Sequence, residues 1–231
     1  MILLSLHCRF LISQEPNQPG AVASLDDRGT FAISLNGRPI GAEKFTIRAA
    51  PSGIEATGDI QLKVPRQGGN TSLKCTTQLL LNSRLEPQNY SAGQSGSPDI
   101  TVAVDFRQSP AASKLRVSGQ PDDERTFALP KDVVILDDNV IHQYQLLLDR
   151  FAMEPDKRQT FAAYIPQEAT PGTVILERVG NEEISLPGGK RVLTHFVMTA
   201  ELARVELWAD EQNHLQRFYN PSQNIEAVRK K

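Results

Sequence analysis

Cysteine is scarce in this chain: Cys8 and Cys75 are the only two among 231 residues. A disulfide framework is thereby excluded, and one bridge at most can form. No run of about 18 apolar residues occurs, so the sequence offers no segment suited to a membrane-spanning helix. An excess of either charge is also missing, since 25 Lys and Arg stand against 27 Asp and Glu. Without a positive field to attract phosphate backbones, nucleic acid is not an expected partner. The four histidines, His7, His142, His195 and His214, are scattered, and none sits in a His-Glu-x-x-His zinc motif. The expectation is therefore no metal centre and no cofactor.

Apolar residues make up 39% of the chain and charged residues 23%, which permits a sizeable core and excludes the low-hydrophobicity regime of disordered chains. The length suits one domain, because all-β folds of this size are routinely single units. Residues 1–13 read either as a shortened secretory signal or as a plain N-terminal strand, for the apolar run is interrupted by Arg9 and lacks a preceding positive charge. Residues 14–27, opening on Gln14-Glu15-Pro16-Asn17, form a polar linker, and residues 28–231 a single antiparallel β domain.

Alternation of apolar and polar residues dominates that domain. Ile100-x-Val102-x-Val104-x-Phe106 is the clearest half-buried strand, and Phe31-x-Ile33-x-Leu35, Phe45-x-Ile47, Ile60-x-Leu62-x-Val64 and Phe161-x-Ala163-x-Ile165 repeat the pattern. Cys75, in the row Leu73-x-Cys75-x-Thr77-x-Leu79, belongs to an inward face as a structural residue. Asn36-Gly37 signals a hairpin, since both residues tolerate positive φ. Pro39, which cannot donate to a ladder, calls for a longer loop or an edge.

One segment departs from period two. Between Asp138 and Phe151, the residues Val140, Ile141, Tyr144, Leu147, Leu148 and Phe151 recur at helical spacing, predicting an amphipathic helix over about 138–151 with Asp137 or Asp138 as N-cap. Asp138, His142 and Asp149 share the opposite face, read as solvated. Nearer the C-terminus, a loop at Asp210–Asn213 would pair Trp208 with Leu215, Glu206 with Arg217 and Val205 with Phe218. Trp208 then marks a rim.

No complete catalytic constellation emerges. Gly93-Gln94-Ser95-Gly96-Ser97 has the wrong spacing for a nucleophile elbow and reads as a polar loop. His195 reads as a hydrogen-bonded structural residue of a central strand, and Glu182-Glu183 as part of a turn.

The stretch Val205-Glu206-Leu207-Trp208-Ala209-Asp210, followed by Leu215-Gln216-Arg217, resembles a strand-turn-strand element of Lol-type lipoprotein-carrier proteins of the bacterial envelope. Leu129–Asn139 and Phe161-x-x-Tyr164-Ile165-Pro166-Gln167 resemble exported bacterial families of unknown function, a likeness that covers about residues 28 to 229. The resemblance implies a strongly curved antiparallel sheet or half-open β-barrel of meander type, with the helix as plug or lid. It also implies a periplasmic or exported location. On this reading the concave face binds a lipid or lipoprotein acyl chain through Val140, Ile141, Tyr144, Leu148 and Trp208. Two alternatives stay open: an envelope interaction module that recruits another protein and has no ligand, and a metal-assisted hydrolase using His142 or His195.

Overall fold

The computed structural model describes residues 25–66, 69–96, 98–154, 156–201 and 203–230. The expected signal segment at 1–13 lies outside the described residues, as does the linker up to residue 24. From Asp27 onward the chain runs as β1 (Asp27–Leu35), β2 (Arg38–Ala50), β3 (Gly53–Arg66) and β4 (Gly69–Leu81), then β5 (Pro87–Ser95), β6 (Ile100–Asp105), β7 (Ala111–Val117) and β8 (Asp123–Phe127). A short strand β9 (Val134–Ile135) and the helix α1 (His142–Phe151) follow. The second series is β10 (Arg158–Ile165), β11 (Thr170–Leu186), β12 (Gly189–Thr199), β13 (Arg204–Ala209), β14 (Leu215–Asn220) and β15 (Ile225–Arg229).

All of these strands join one curved open sheet in the order β8-β7-β6-β5-β4-β3-β2-β1-β15-β14-β13-β12-β11-β10-β9. Each neighbouring pair is antiparallel except β9 with β10. Two meanders thus start from the middle of the sheet and end at opposite edges, and the segment between those edges carries α1 into the concave side. The protein is a mainly β, barrel-like half-open meander, as its alternating pattern predicts.

The alternating residues supply the core. Phe31, Ile33, Phe45, Ile47, Ile60, Leu62, Cys75, Leu79, Val102 and Val104 all point inward and are buried together with Leu147 and Leu148 of the helix. Each such large side chain contributes roughly 1.5 to 3 kcal/mol through the apolar surface it removes from water. Asn36 and Gly37 form the expected tight turn with φ of 51° and 72°, the signs a two-residue hairpin requires. Pro39 does not lengthen that loop. It pairs with Ser34 at a register shift and lies beyond the first β2–β3 pair, Gly41 with Leu62, so no ladder needs its missing amide. Gly93 to Ser95 belong to β5, and Glu182 and Glu183 lie within β11, so neither is the loop or turn that composition suggests.

The two sheet edges, β8 and β9, are not bonded to each other. Side chains close this seam. The Tyr164 ring of β10 meets Phe127 at 5.1 Å and Phe106 at 6.3 Å between centroids, and its hydroxyl lies 3.1 Å from Ser113 Oγ on β7. Tyr164 is fully buried, so it acts as the latch of the half-barrel. Tyr164→Ala is expected to cost about 3 to 5 kcal/mol, whereas Tyr164→Phe, which loses only the hydroxyl contact, should cost about 1 kcal/mol. Urea unfolding of the two variants against the native chain measures both.

Candidate functional site

The helix is shorter than its sequence pattern and is started by a different residue. It spans His142–Phe151, and neither Asp137 nor Asp138 caps it. The cap comes from β2: Glu43 accepts hydrogen bonds from the amides of Ile141 (2.6 Å) and His142 (3.1 Å). The same carboxylate lies 2.5 Å from His142 Nδ1. With two amides already donating to it, Glu43 is the acceptor here too, and Nδ1 carries the proton. Both side chains are inaccessible to solvent. Gly58 on the neighbouring strand leaves room for the imidazole, since a Cβ there would stand 2.8 Å from His142 Cε1 and 2.9 Å from Thr77 Oγ1.

Asp137 has another task. Its carboxylate accepts from Tyr90 Oη at 2.5 Å and from the Gln167 amide at 2.9 Å, tying the loop before the helix to β5 and to the turn after β10. Burial pushes its carboxyl above the usual range, and the Tyr90 hydrogen bond opposes that shift. Of the expected solvated face only Asp138, which lies ahead of the helix, is exposed. His142 is buried, and Asp149 is largely enclosed, accepting from Gln145 Nε2 and Asn213 Nδ2. Its second oxygen is buried with no partner, and burial raises the carboxyl to about 7. A helix seated in the concave side of a sheet has little outward surface, so the buried part of its polar face must be satisfied by neighbouring groups.

Beside the N-terminal end of α1 a cavity of about 480 Å³ remains between the helix and the inner faces of β10 to β15, within the roughly 300 to 1,000 Å³ typical of small-ligand pockets. Val140, Ile141 and Tyr144 line it, with Val174, Met198 and Phe218 opposite. Tyr144 and Phe218 rings meet at 4.8 Å. The structure thus brings together three of the five residues singled out by sequence. Leu148 is fully buried in the packed core and does not reach the pocket.

Trp208 is on the other face of the sheet. Val205, Leu207 and Ala209 of β13 turn inward, which sends Trp208 outward into a small cluster with Ile184 and Leu193. It is buried there rather than forming a rim. Its indole stacks on His195 at 4.7 Å, lies 4.4 Å from the Arg217 guanidinium, and donates to Glu182 at 2.9 Å. In the hairpin Trp208 pairs with Arg217, Glu206 with Tyr219 and Leu207 with Phe218, two residues from the predicted match, and a shift between Trp208 and Ala209 sends Leu215 to the inner face. His195 is 3.3 Å from a Glu182 oxygen and 3.4 Å from a Glu206 oxygen, away from the pocket.

Sequence reasoning missed the acids of the pocket, where Asp137, Asp138, Glu168 and Glu201 contribute to the wall. Burial and the neighbouring Glu168 and Asp137 charges raise the Asp138 carboxyl to about 6. It also missed Glu43, although an acid in the inward row Glu43-x-Phe45-x-Ile47 is a readable signal of a buried polar partner. Among the described residues, no group of three or more His, Cys, Asp or Glu side chains is placed to hold a metal ion, and no helix is long and apolar enough to cross a membrane.

These features define a barrel-like β domain with an internal helix and a pocket at one end. The sequence matches no known protein-family profile and no curated protein. In structure the chain is similar to a β-barrel-like protein of the domain of unknown function DUF1849 from Brucella abortus, with a TM-score of 0.60, 6% identity, and 89% of this chain and 96% of that one covered. It is also similar to a DUF1089 family protein from Pseudomonas aeruginosa, with a TM-score of 0.50, 9% identity, and 78% and 90% covered. At these identities the likeness is one of fold.

Glu43→Ala should cost about 3 to 5 kcal/mol, because it strands two amides and an imidazole N–H in the core. Calorimetric unfolding tests this. Asp149→Asn should stabilise by about 1 to 3 kcal/mol near pH 8, where the native carboxylate is charged. Because the folded pKa is raised, the native chain pays nothing when Asp149 is protonated in both states, and the penalty grows as pH rises towards 7. The advantage of the variant should therefore vanish on acidification to about pH 4.

Proposed function

We propose that the chain is a non-enzymatic protein of the bacterial envelope that holds a lipid or similar apolar ligand between α1 and the inner faces of β10 to β15. The observation carrying this reading is the 480 Å³ cavity, lined by Val140, Ile141, Tyr144 and Phe218, that the otherwise packed interior leaves open. The helix fills the remainder of the concave side with Leu147, Leu148 and Phe151. Binding is thus confined to one end rather than spread over the whole concave face, and Trp208 takes no part in it. The sequence resemblance of the Val205–Arg217 stretch to Lol-type carriers is in keeping with such a role, and an exported location belongs to the same proposal.

A second reading draws on the same helix: because α1 packs most of the interior, the domain also suits an interaction module without ligand. Native mass spectrometry of gently extracted protein separates the two. Recovery with a bound lipid-sized adduct is expected, and Ala200→Trp, which places a large ring at the partly exposed pocket wall, should abolish the adduct. Consistent recovery of ligand-free protein, with no thermal stabilisation by added lipids, would rule out the ligand-binding reading.

A further inference from the structure

The pocket has a charge as well as a shape. Asp138, Glu168 and Glu201 are exposed where its wall meets solvent, with Asp137 buried beneath them, while the deeper wall is Val140, Ile141 and Phe218. No Lys, Arg or His lines it among the described residues. Composition does not explain this, for the chain has nearly equal numbers of acids and bases. Several acids elsewhere on the sheet are paired: Glu55 with Arg48, Asp122 with Lys114 and Arg116, Glu226 with Arg217. Asp138 and Glu168 line the same pocket with no salt-bridge partner among the described residues, and the Glu168 charge disfavours ionisation of Asp138.

We infer that the occupant is an amphiphile with a single apolar chain and a cationic, ammonium-type head. The chain enters the apolar wall around Val140, Ile141 and Phe218, and the head sits between Asp138 and Glu168. This rests on the proposed ligand-binding role and narrows it. A fatty-acid carboxylate placed at the same depth would meet two carboxylates with no counter-charge, and like charges repel more strongly in the reduced dielectric near a protein surface than in bulk water. A cation relieves the repulsion that the empty site carries. Tyr144 also borders the cavity, and aromatic rings attract ammonium groups.

Three decyl compounds below their micelle concentrations discriminate the possibilities by isothermal titration calorimetry on the full chain near neutral pH. Decylammonium should bind at least about tenfold more tightly than decanoate, with uncharged decanol between them. In the double variant Asp138→Asn, Glu168→Gln the ratio should fall to within about twofold, since both side chains are exposed and their loss leaves the core intact. Decanoate binding as tightly as decylammonium, or a ratio unchanged in the double variant, would overturn the charge preference while leaving an apolar pocket. If none of the three compounds binds, the ligand-binding role itself fails and this inference fails with it. Ala200→Trp guards against adsorption of the cation elsewhere: undiminished decylammonium binding in that variant overturns the proposed seat.

Discussion

A carboxylate without access to water organises the interior of this protein. Removing a charged group from solvent is costly unless its hydrogen-bonding capacity is met. Glu43 meets it with three donors from one short stretch, the amides of Ile141 and His142 and the imidazole N–H of His142. In return it neutralises the partial positive charge at the start of α1, where free amides accumulate. Ten residues are too few for a stable helix alone in water. Here the helix forms because β2 supplies its cap and the sheet supplies its apolar surroundings. Gly58, Thr77 and Phe45 adapt the neighbouring strands to the imidazole, the last by stacking at 6.1 Å.

The position of the helix then decides where space remains. Leu147, Leu148 and Phe151 press into the core, while the N-terminal turn, held by Glu43 and by the Asp137 contacts to Tyr90 and Gln167, stops short of the inner faces of β10 to β15. A pocket whose floor is fixed at two points is preformed, so a ligand entering it need not order the loop that receives it.

Much of this architecture is legible in the sequence because its source is local. Rows such as Ile60-x-Leu62 and Val102-x-Val104 announce strands, and Asn36-Gly37 announces a turn, through the geometry of a few consecutive residues. What is not legible depends on distant partners. Helical spacing begins at Val140, but the start of α1 is set by a carboxylate 98 residues away. The partners of Trp208 depend on the register of one hairpin, where a displacement of two residues changes which side chains meet and a break in the ladder sends Leu215 inward. His142 and Asp149 look solvated on a helical wheel, because the wheel cannot show that the helix lies in the concave side of a sheet. The acidic mouth is assembled from the loop before α1, the turn after β10 and the turn before β13, segments that have no proximity along the chain.

The pairing of β1 with β15 at the middle of the sheet bears on how the chain is made. Asp27 and Arg229 bridge 202 residues, so during synthesis one side of β1 has no strand to bond until Ile225–Arg229 emerge. The meander from β1 to β8 is meanwhile a complete set of hairpins with a bare hydrogen-bonding edge at Phe31 and Ile33, the kind of template that recruits foreign strands. Closure of the sheet therefore waits for β15, and a product ended before that strand would keep the β1 edge open to its neighbours.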